Sequence, residues 1–208
     1  LPILKLSQFN FIDTMSDISK NPASFAIFDE DLDDQTFIQF KKATELAIDT
    51  EAMGLIHGRD RLCLVQICDQ KDNIACIRIE MGQKSAPKLK ALMEERSIEK
   101  VFHFARFDLA ALSCGLNITV EPIFCTKVAS KIGRTYTQRH GLKELILELI
   151  GVDLDKQSQC SDWGKIDDLT NNQLTYAAND VRYLLEAKKV LENMLLREGR
   201  IEIARQCF

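Results

Sequence analysis

The alternation of apolar and polar residues along the chain predicts strands first and helices later. Residues 47–49 are predicted to form a strand, the near-continuous apolar run 61–68 a central strand, and residues 74–79 a third, so that these three form a meander. Short strands are predicted at 101–104 and 123–125. This order of elements favours an α/β fold in which helices flank a mixed sheet of five to six strands.

Helical spacing of apolar residues predicts the remaining elements. The sequence from Thr170 to Gln173 has the pattern of a capping box and is predicted to start one long helix that runs to about Arg197. Shorter helices are predicted to begin near Pro87, to end near Gly115 and Ile132, and to span residues 142–150 before Gly151.

Composition places the chain among globular proteins. It has 208 residues, of which 46% are hydrophobic and 28% charged, and no apolar run approaches the roughly 20 residues of a membrane helix. Its seven cysteines lack a C-x-x-C pair, and with no secretory signal this favours reduced, buried thiols and a cytoplasmic location. We expect residues 1–22 to be a variable N-terminal arm or a non-native remnant, and residues 23–208 to form a single domain.

The net charge of −4 bears on possible ligands. Proteins that hold long nucleic acid by its backbone usually present a basic face, so this chain is expected to bind locally or to act on a short ligand. The segment 127–143 carries five cations and no acid. It is either a phosphate-holding patch or a solvated face that balances an acidic chain.

Asp49 and Glu51 are the first candidate site residues. They follow the apolar residues 46–48, and residues two apart on a strand point to the same face. Two like charges held together repel each other unless a proton or a cation lies between them. The pair is therefore either a surface acidic doublet or half of a divalent-metal site.

Three more residues extend this pattern. Asp108 lies among apolar residues where a helix starts after a strand, and Tyr176 and Asp180 share one helical face. Alone, Asp108 is typical of a helix first turn and Tyr176 of a core tyrosine. Together with Asp49 and Glu51, the carboxylates suit Mg²⁺ or Mn²⁺, and two such ions about 3.5–4 Å apart fit phosphodiester hydrolysis. Tyr176, with a reference pKa of about 10, would orient the attacking water.

These motifs resemble the DEDDy 3′–5′ exonucleases of the RNase D superfamily. The stretches that carry the resemblance are 48–51, 107–109, 162–163 and 176–180. The chain is most similar to the bacterial nanoRNase C group of oligoribonuclease-like diribonucleases, through residues 53–55, 59–63, 103–109, 125–127, 134–137, 139–143 and 197–200. One departure is that Phe104 follows His103, where many related exonucleases carry His-Asn.

The resemblance implies an RNase H-like (DnaQ/RNase D-type) exonuclease fold, release of 5′-mononucleotides from a 3′ end, and two Mg²⁺ or Mn²⁺ ions. The metal ligands would be Asp49, Glu51, Asp108 and Asp180, with Tyr176 as the fifth catalytic residue. The nanoRNase C group further implies very short RNA or dinucleotide substrates and a homo-oligomer, an octameric ring. The alternatives are an RNase D-like enzyme that trims longer RNA or degrades DNA, and a non-catalytic module that only binds nucleic acid.

We expect seven further residues to contact the substrate. Leu55 is predicted either to wedge against a terminal base or to pack within its loop, and Trp163 either to anchor the fold or to stack on a base. The full set is Thr50, Leu55, His103, Phe107, Arg139, His140 and Trp163.

Overall fold

One mixed sheet organises the chain in the computed structural model, which describes residues 24–56, 58–154 and 161–208. The predicted arm, residues 1–22, lies outside these ranges. The six strands are β1 (Phe25–Asp29), β2 (Glu45–Ala52), β3 (Leu62–Cys68), β4 (Ile74–Arg78), β5 (Glu99–Phe102) and β6 (Ile123–Cys125). They lie in the order β1-β4-β3-β2-β5-β6. β3 is antiparallel to both of its neighbours, whereas the other pairs are parallel. The predicted mixed sheet and its β2–β3–β4 meander are confirmed.

Helices cover both faces of the sheet. On the first face the core includes residues of α1 (Asp34–Phe40), α2 (Pro87–Met93) and α3 (Arg106–Leu116). On the second face it includes residues of α4 (Thr126–Gly133), α5 (Leu142–Ile150), α6 (Asn171–Arg182), α7 (Leu184–Arg197) and α8 (Ile201–Arg205). Within the described part of the chain, no helix has the length and apolar character needed to cross a membrane.

The central strands are buried on both faces, which explains their continuous apolar sequence. In β2, Leu46 and Ile48 belong to the core of the first face, whereas Ala47 belongs to that of the second. Because side chains alternate along a strand, Asp49 and Glu51 continue the Ala47 side and point toward the second face. The sheet therefore directs both acidic side chains to the face that α6 covers.

The cysteines only partly follow the prediction of buried thiols. All six that lie in the described ranges are free, and Cys63, Cys68, Cys76 and Cys125 are buried. The remaining two, Cys114 and Cys207, are exposed.

The predicted long helix is wrong in one respect, because it is two helices. The capping box is present, with the Thr170 hydroxyl accepting from the backbone N–H of Gln173, but α6 ends at Arg182 and α7 begins at Leu184. Tyr183 lies between them and its backbone N–H donates to the carbonyl of Val181. Neither Gly nor Pro marks this break. The two helices also have different partners, since α6 packs on β2, β3 and β4, whereas α7 packs on β2, β5, α4 and α5.

β5 is fixed at its start by a buried lysine and ends at a tight turn. The fully buried Lys100 donates its ammonium protons to the carbonyls of Glu95, Ile98 and Glu121, which precede β5 and β6. β5 ends two residues earlier than predicted, because the chain turns through Phe104, whose φ is +70°. Non-glycine residues rarely adopt this conformation. The turn leads directly into α3, which carries Asp108.

We predict that Lys100→Met lowers the free energy of unfolding by about 2–4 kcal/mol, because three backbone carbonyls lose a charged donor while the apolar stem is kept. Urea denaturation measures the change. Lys90→Met is the matched control, since the half-exposed ammonium of Lys90 pairs with Glu94 and its loss is expected to cost about 1 kcal/mol or less. Equal losses for the two variants would contradict this role of Lys100.

Candidate active site

Three carboxylates converge where α6 crosses β2. Asp49 and Glu51 come from the strand and Asp180 from the helix, and one oxygen of each lies within 4.8 Å of the other two. α6 can approach the sheet closely because Ala177 and Ala178, both fully buried, are small. The predicted D-x-E pair and the acid of the late helix are thus brought together.

Asp108 approaches the same group from the other side of β2. It is only 2% exposed, and its Oδ1 accepts a hydrogen bond of 2.7 Å from the hydroxyl of Thr50. Thr50 is one residue from Asp49 on the strand and therefore points to the opposite face. Asp108 lies outside the cluster of three oxygens, but its charge raises the pKa of Asp49 and of Glu51.

Burial raises the pKa of all four carboxyl groups, and repulsion from neighbouring acidic charges raises the pKa of Asp49 and Glu51 further. For Asp49 the pKa lies well above its usual range, first because of burial and then because of the charges of Asp108, Asp180 and Glu51. Burial, followed by the charges of Asp180 and Asp108, raises the pKa of Glu51 to about 9. Burial raises the pKa of Asp108 and of Asp180 to about 7. The site therefore favours either protons or cations between these groups.

The donor set fits a hard divalent cation. All of its ligand atoms are carboxylate oxygens, which Mg²⁺ and Mn²⁺ prefer over the softer nitrogen and sulfur donors. Among the described residues, no lysine or arginine contributes to the pKa shifts of these four groups, so no basic side chain offsets their repulsion. Asp49, Glu51 and Asp180 are the residues that could hold one ion together, and Asp108 borders them.

Tyr176 lies beside the cluster on α6. Its hydroxyl is within hydrogen-bonding reach of the Asp180 carboxylate, one helical turn along. Burial, and then the charge of Asp180, raises the pKa of Tyr176 above its usual range, so the phenol stays protonated at neutral pH. Its ring centroid lies 6.4 Å from that of Trp163.

Asp49, Glu51 and Asp180 line a cleft of about 570 Å³. Five of the seven predicted substrate-binding residues also line it: Thr50, Leu55, His103, Phe107 and Trp163. The Leu55 side chain is 79% exposed, which favours a wedge over a packed loop leucine. Trp163 is 3% exposed, which favours a structural anchor, although its indole N–H has no hydrogen-bond partner among the described residues.

His103 is held as a neutral side chain in this cleft. Burial, and then the charge of Lys127, lowers the pKa of His103 to about 3. Its Nδ1 lies 2.9 Å from the hydroxyl of Thr126, which donates to the carbonyl of Phe102. The Thr126 hydroxyl thus lies between Nδ1 of His103 and the Phe102 carbonyl and fixes the orientation of the imidazole ring.

The basic segment is largely turned away from the cleft. Lys127 and Lys143 line the cleft, but Arg139 and His140 do not, as far as the described residues define it. Arg134 is fully buried and bonded to Glu148, so that it belongs to the fold and not to a phosphate patch. A charge count along the sequence cannot separate a buried arginine from an exposed one.

Phe104 is a cleft residue that the sequence analysis noted only as a departure. Its side chain is 47% exposed, and the Nζ of Lys127 lies 4.2 Å from its ring centroid. The positive φ of this residue directs its ring, and no sequence pattern signals such a backbone conformation for a phenylalanine.

The 3′–5′ exonuclease family matches residues 25–196 of the chain. Ribonuclease D of Sphingobium indicum is 30% identical over 172 residues, which cover 81% of this chain and 44% of that protein. The chain spans less than half the length of the ribonuclease D relatives that it matches.

Two solved structures show the same RNase H-like exonuclease architecture. NrnC of Brucella melitensis is 47% identical with a TM-score of 0.84, covering 88% of this chain and 87% of its own. It has also been solved with bound Mg²⁺ and bound to pGG. RNase D of Escherichia coli is 25% identical with a TM-score of 0.76, covering 88% of this chain and 48% of its own. The chain belongs to the 3′–5′ exonuclease family, as a member of the RNase D superfamily close to NrnC.

Proposed function

We propose that this chain is a metal-dependent 3′–5′ exoribonuclease that hydrolyses short RNA to 5′-mononucleotides. The observation that carries the proposal is the group of Asp49, Glu51 and Asp180 oxygens within 4.8 Å in the lining of an open cleft. Structures of NrnC with Mg²⁺ and with pGG support both the cofactor and a short substrate.

The four carboxylates would hold two Mg²⁺ or Mn²⁺ ions. Bound ions of this kind supply an activated water at neutral pH and neutralise charge that develops on the phosphate. Asp49, Glu51 and Asp180 would be ligands in this proposal, and Asp108, whose orientation is fixed by Thr50, would complete the set. Release of a mononucleotide follows when a water attacks the last phosphodiester and the 3′ oxygen of the preceding nucleotide leaves.

Tyr176 orients the attacking water in this proposal. Its raised pKa keeps the hydroxyl protonated, so it positions water by hydrogen bonding and does not act as the base. The neutral His103 likewise contributes a hydrogen bond to the substrate and no positive charge.

Phe104 and Lys127 together would bind one nucleotide of the substrate. The exposed ring offers a face on which a base can stack, and the ammonium beside it offers a charge to a phosphate. Leu55 lines the same cleft and would separate neighbouring bases.

The rival activities differ in substrate length. RNase D of Escherichia coli is described as an exoribonuclease involved in structured RNA processing, so trimming of longer RNA is the main alternative. A non-catalytic binding module is less favoured, because all four carboxylates are present, three of them with oxygens within 4.8 Å of one another and Asp108 close enough to raise the pKa of Asp49.

Assembly and location are also proposals. The resemblance to the nanoRNase C group supports a homo-oligomer, an octameric ring, and a cytoplasmic location. Light scattering of the purified protein measures the mass directly, and a monomer would exclude the ring.

We predict that, with Mn²⁺, the protein cleaves a 5′-phosphorylated dinucleotide faster than a strand of about 20 nucleotides, because the cleft is local and the chain acidic. Asp49→Asn is expected to lower kcat about a thousandfold or more by removing a metal ligand. Chromatography of the released mononucleotide measures both the length dependence and the effect of the substitution. Asp34→Asn, an exposed acid outside the cleft, is the control and should keep full activity. Equal rates on both lengths would count against the short substrate, and undiminished cleavage by Asp49→Asn would contradict the site.

We predict that metal-free Glu51→Gln is more stable than the wild type at about pH 9 and similar to it below about pH 4.5. The folded pKa of Glu51 is raised, so the wild type loses stability as pH rises through this window, whereas glutamine does not titrate. A gain of about 1 kcal/mol would raise Tm by about 2–4 °C. Thermal unfolding tests this, and Mn²⁺ should stabilise the wild type increasingly with pH. A difference independent of pH would refute the assignment.

We predict that Phe104→Asn raises the KM for a dinucleotide about tenfold with kcat largely kept, because stacking of a base on an aromatic ring contributes about 1–3 kcal/mol. Asparagine tolerates the positive φ at this position, so the turn is expected to persist. Steady-state kinetics and Tm are the measurements. Met81→Ala, which removes an exposed apolar side chain outside the cleft, should change neither. An unchanged KM in Phe104→Asn would contradict the proposal that a base stacks on Phe104.

A further inference from the structure

Gln66 is a buried polar residue in the middle of the central strand β3. Its side chain is 0% exposed, and neither its amide nitrogen nor its amide oxygen has a hydrogen-bond partner among the described residues. A buried amide without a partner costs free energy, and such groups in a native structure call for an explanation. An apolar residue would fill the same place without this cost.

The register of the sheet places Gln66 beside the metal carboxylates. Gln66 lies directly opposite Asp49 in the antiparallel β2–β3 pair, and opposite residues in such a pair share a face with Cβ atoms about 4.5–5.5 Å apart. Leu64 and Cys68, two residues away on either side, belong to the core under α6. The Gln66 side chain therefore points to the same face as Asp49.

Few other polar partners are available to Gln66 on that face. Its opposite neighbour on β4 is Cys76, a buried thiol that is at best a weak hydrogen-bonding group. The α6 residues Ala177, Ala178 and Val181 over this part of the sheet are apolar. Among the described strands, the Asp49 carboxylate is thus the strong acceptor that lies directly opposite the amide.

We propose that Gln66 is a positioning residue for the metal site: its amide N–H donates to the Asp49 carboxylate when Asp49 ligates the metal ion. This role rests on the proposed function, because Asp49 is a metal ligand only in that function. A carboxylate that ligates a metal with one oxygen keeps further lone pairs, and hydrogen bonds to them fix its orientation. Rotation of two adjacent side chains suffices, because the backbone already sets them opposite each other.

The test compares Gln66→Met with Ile67→Met. Methionine has nearly the length of glutamine but no donor, and Ile67 is the next residue on β3, fully buried in the core of the opposite face. Isothermal titration calorimetry measures the Mn²⁺ affinity of each protein, and thermal unfolding measures the metal-free Tm. Gln66→Met is expected to bind Mn²⁺ about tenfold more weakly. Its metal-free Tm should equal or exceed that of the wild type, because an unpaired amide has been removed. Ile67→Met should keep the wild-type affinity.

The opposite pattern would overturn the proposal. A purely structural amide predicts a lower metal-free Tm for Gln66→Met with unchanged Mn²⁺ affinity. If this variant does not fold, the side-chain amide resonances of Gln66 in the wild type provide the measurement: they should shift on addition of Mg²⁺, and no shift refutes the hydrogen bond. The Asp49→Asn variant distinguishes a failure of the proposed function from a failure of the role proposed for Gln66. Wild-type protein that binds Mn²⁺ no better than Asp49→Asn overturns the proposed function, whereas strong wild-type binding with an unaltered Gln66→Met overturns only the role of Gln66.

Discussion

Repulsion between carboxylates held side by side is the constraint on which the arrangement of this protein depends. Asp49, Glu51 and Asp180 cannot separate, because β2 lies between two other strands and α6 is packed across it. Such a group is stable only with protons or cations between its oxygens. The continuous burial of β3, the small residues of α6 and the capping box that starts this helix all keep the three acids within 4.8 Å.

Asp108, the fourth acid, is placed by different elements from the other three. Asp108 depends on a short strand whose start is fixed by Lys100 and whose end turns through the positive φ of Phe104. Thr50 then joins Asp108 to β2, on the face opposite to Asp49. β2 thus supplies Asp49 and Glu51 to one side of the site, and the hydroxyl of Thr50, between them, holds Asp108 on the other side. Displacement of β2 would disturb all four acids together.

Local patterns in the sequence predicted the central strands, the capping box and the acids of β2 and α6, because each depends on spacing along one element. The break at Tyr183 could not be predicted, since no Gly or Pro marks it and the two helices differ in their tertiary partners. The burial of Arg134 and the placement of Gln66 opposite Asp49 depend on contacts between segments far apart in sequence. The ring of Phe104 is placed by a backbone conformation that its residue type disfavours.

The burial of Arg134 has a consequence for how much negative charge the cleft can accept. Arg134 is committed to Glu148, and of the two lysines that line the cleft, Lys143 pairs with Asp153. Among the described lining residues, Lys127 is therefore the main cation left to meet a phosphate. Each nucleotide added to a ligand brings another negative charge to an acidic surface that has little to neutralise it. Under the proposed function, this charge balance would favour a short polyanion over a long one.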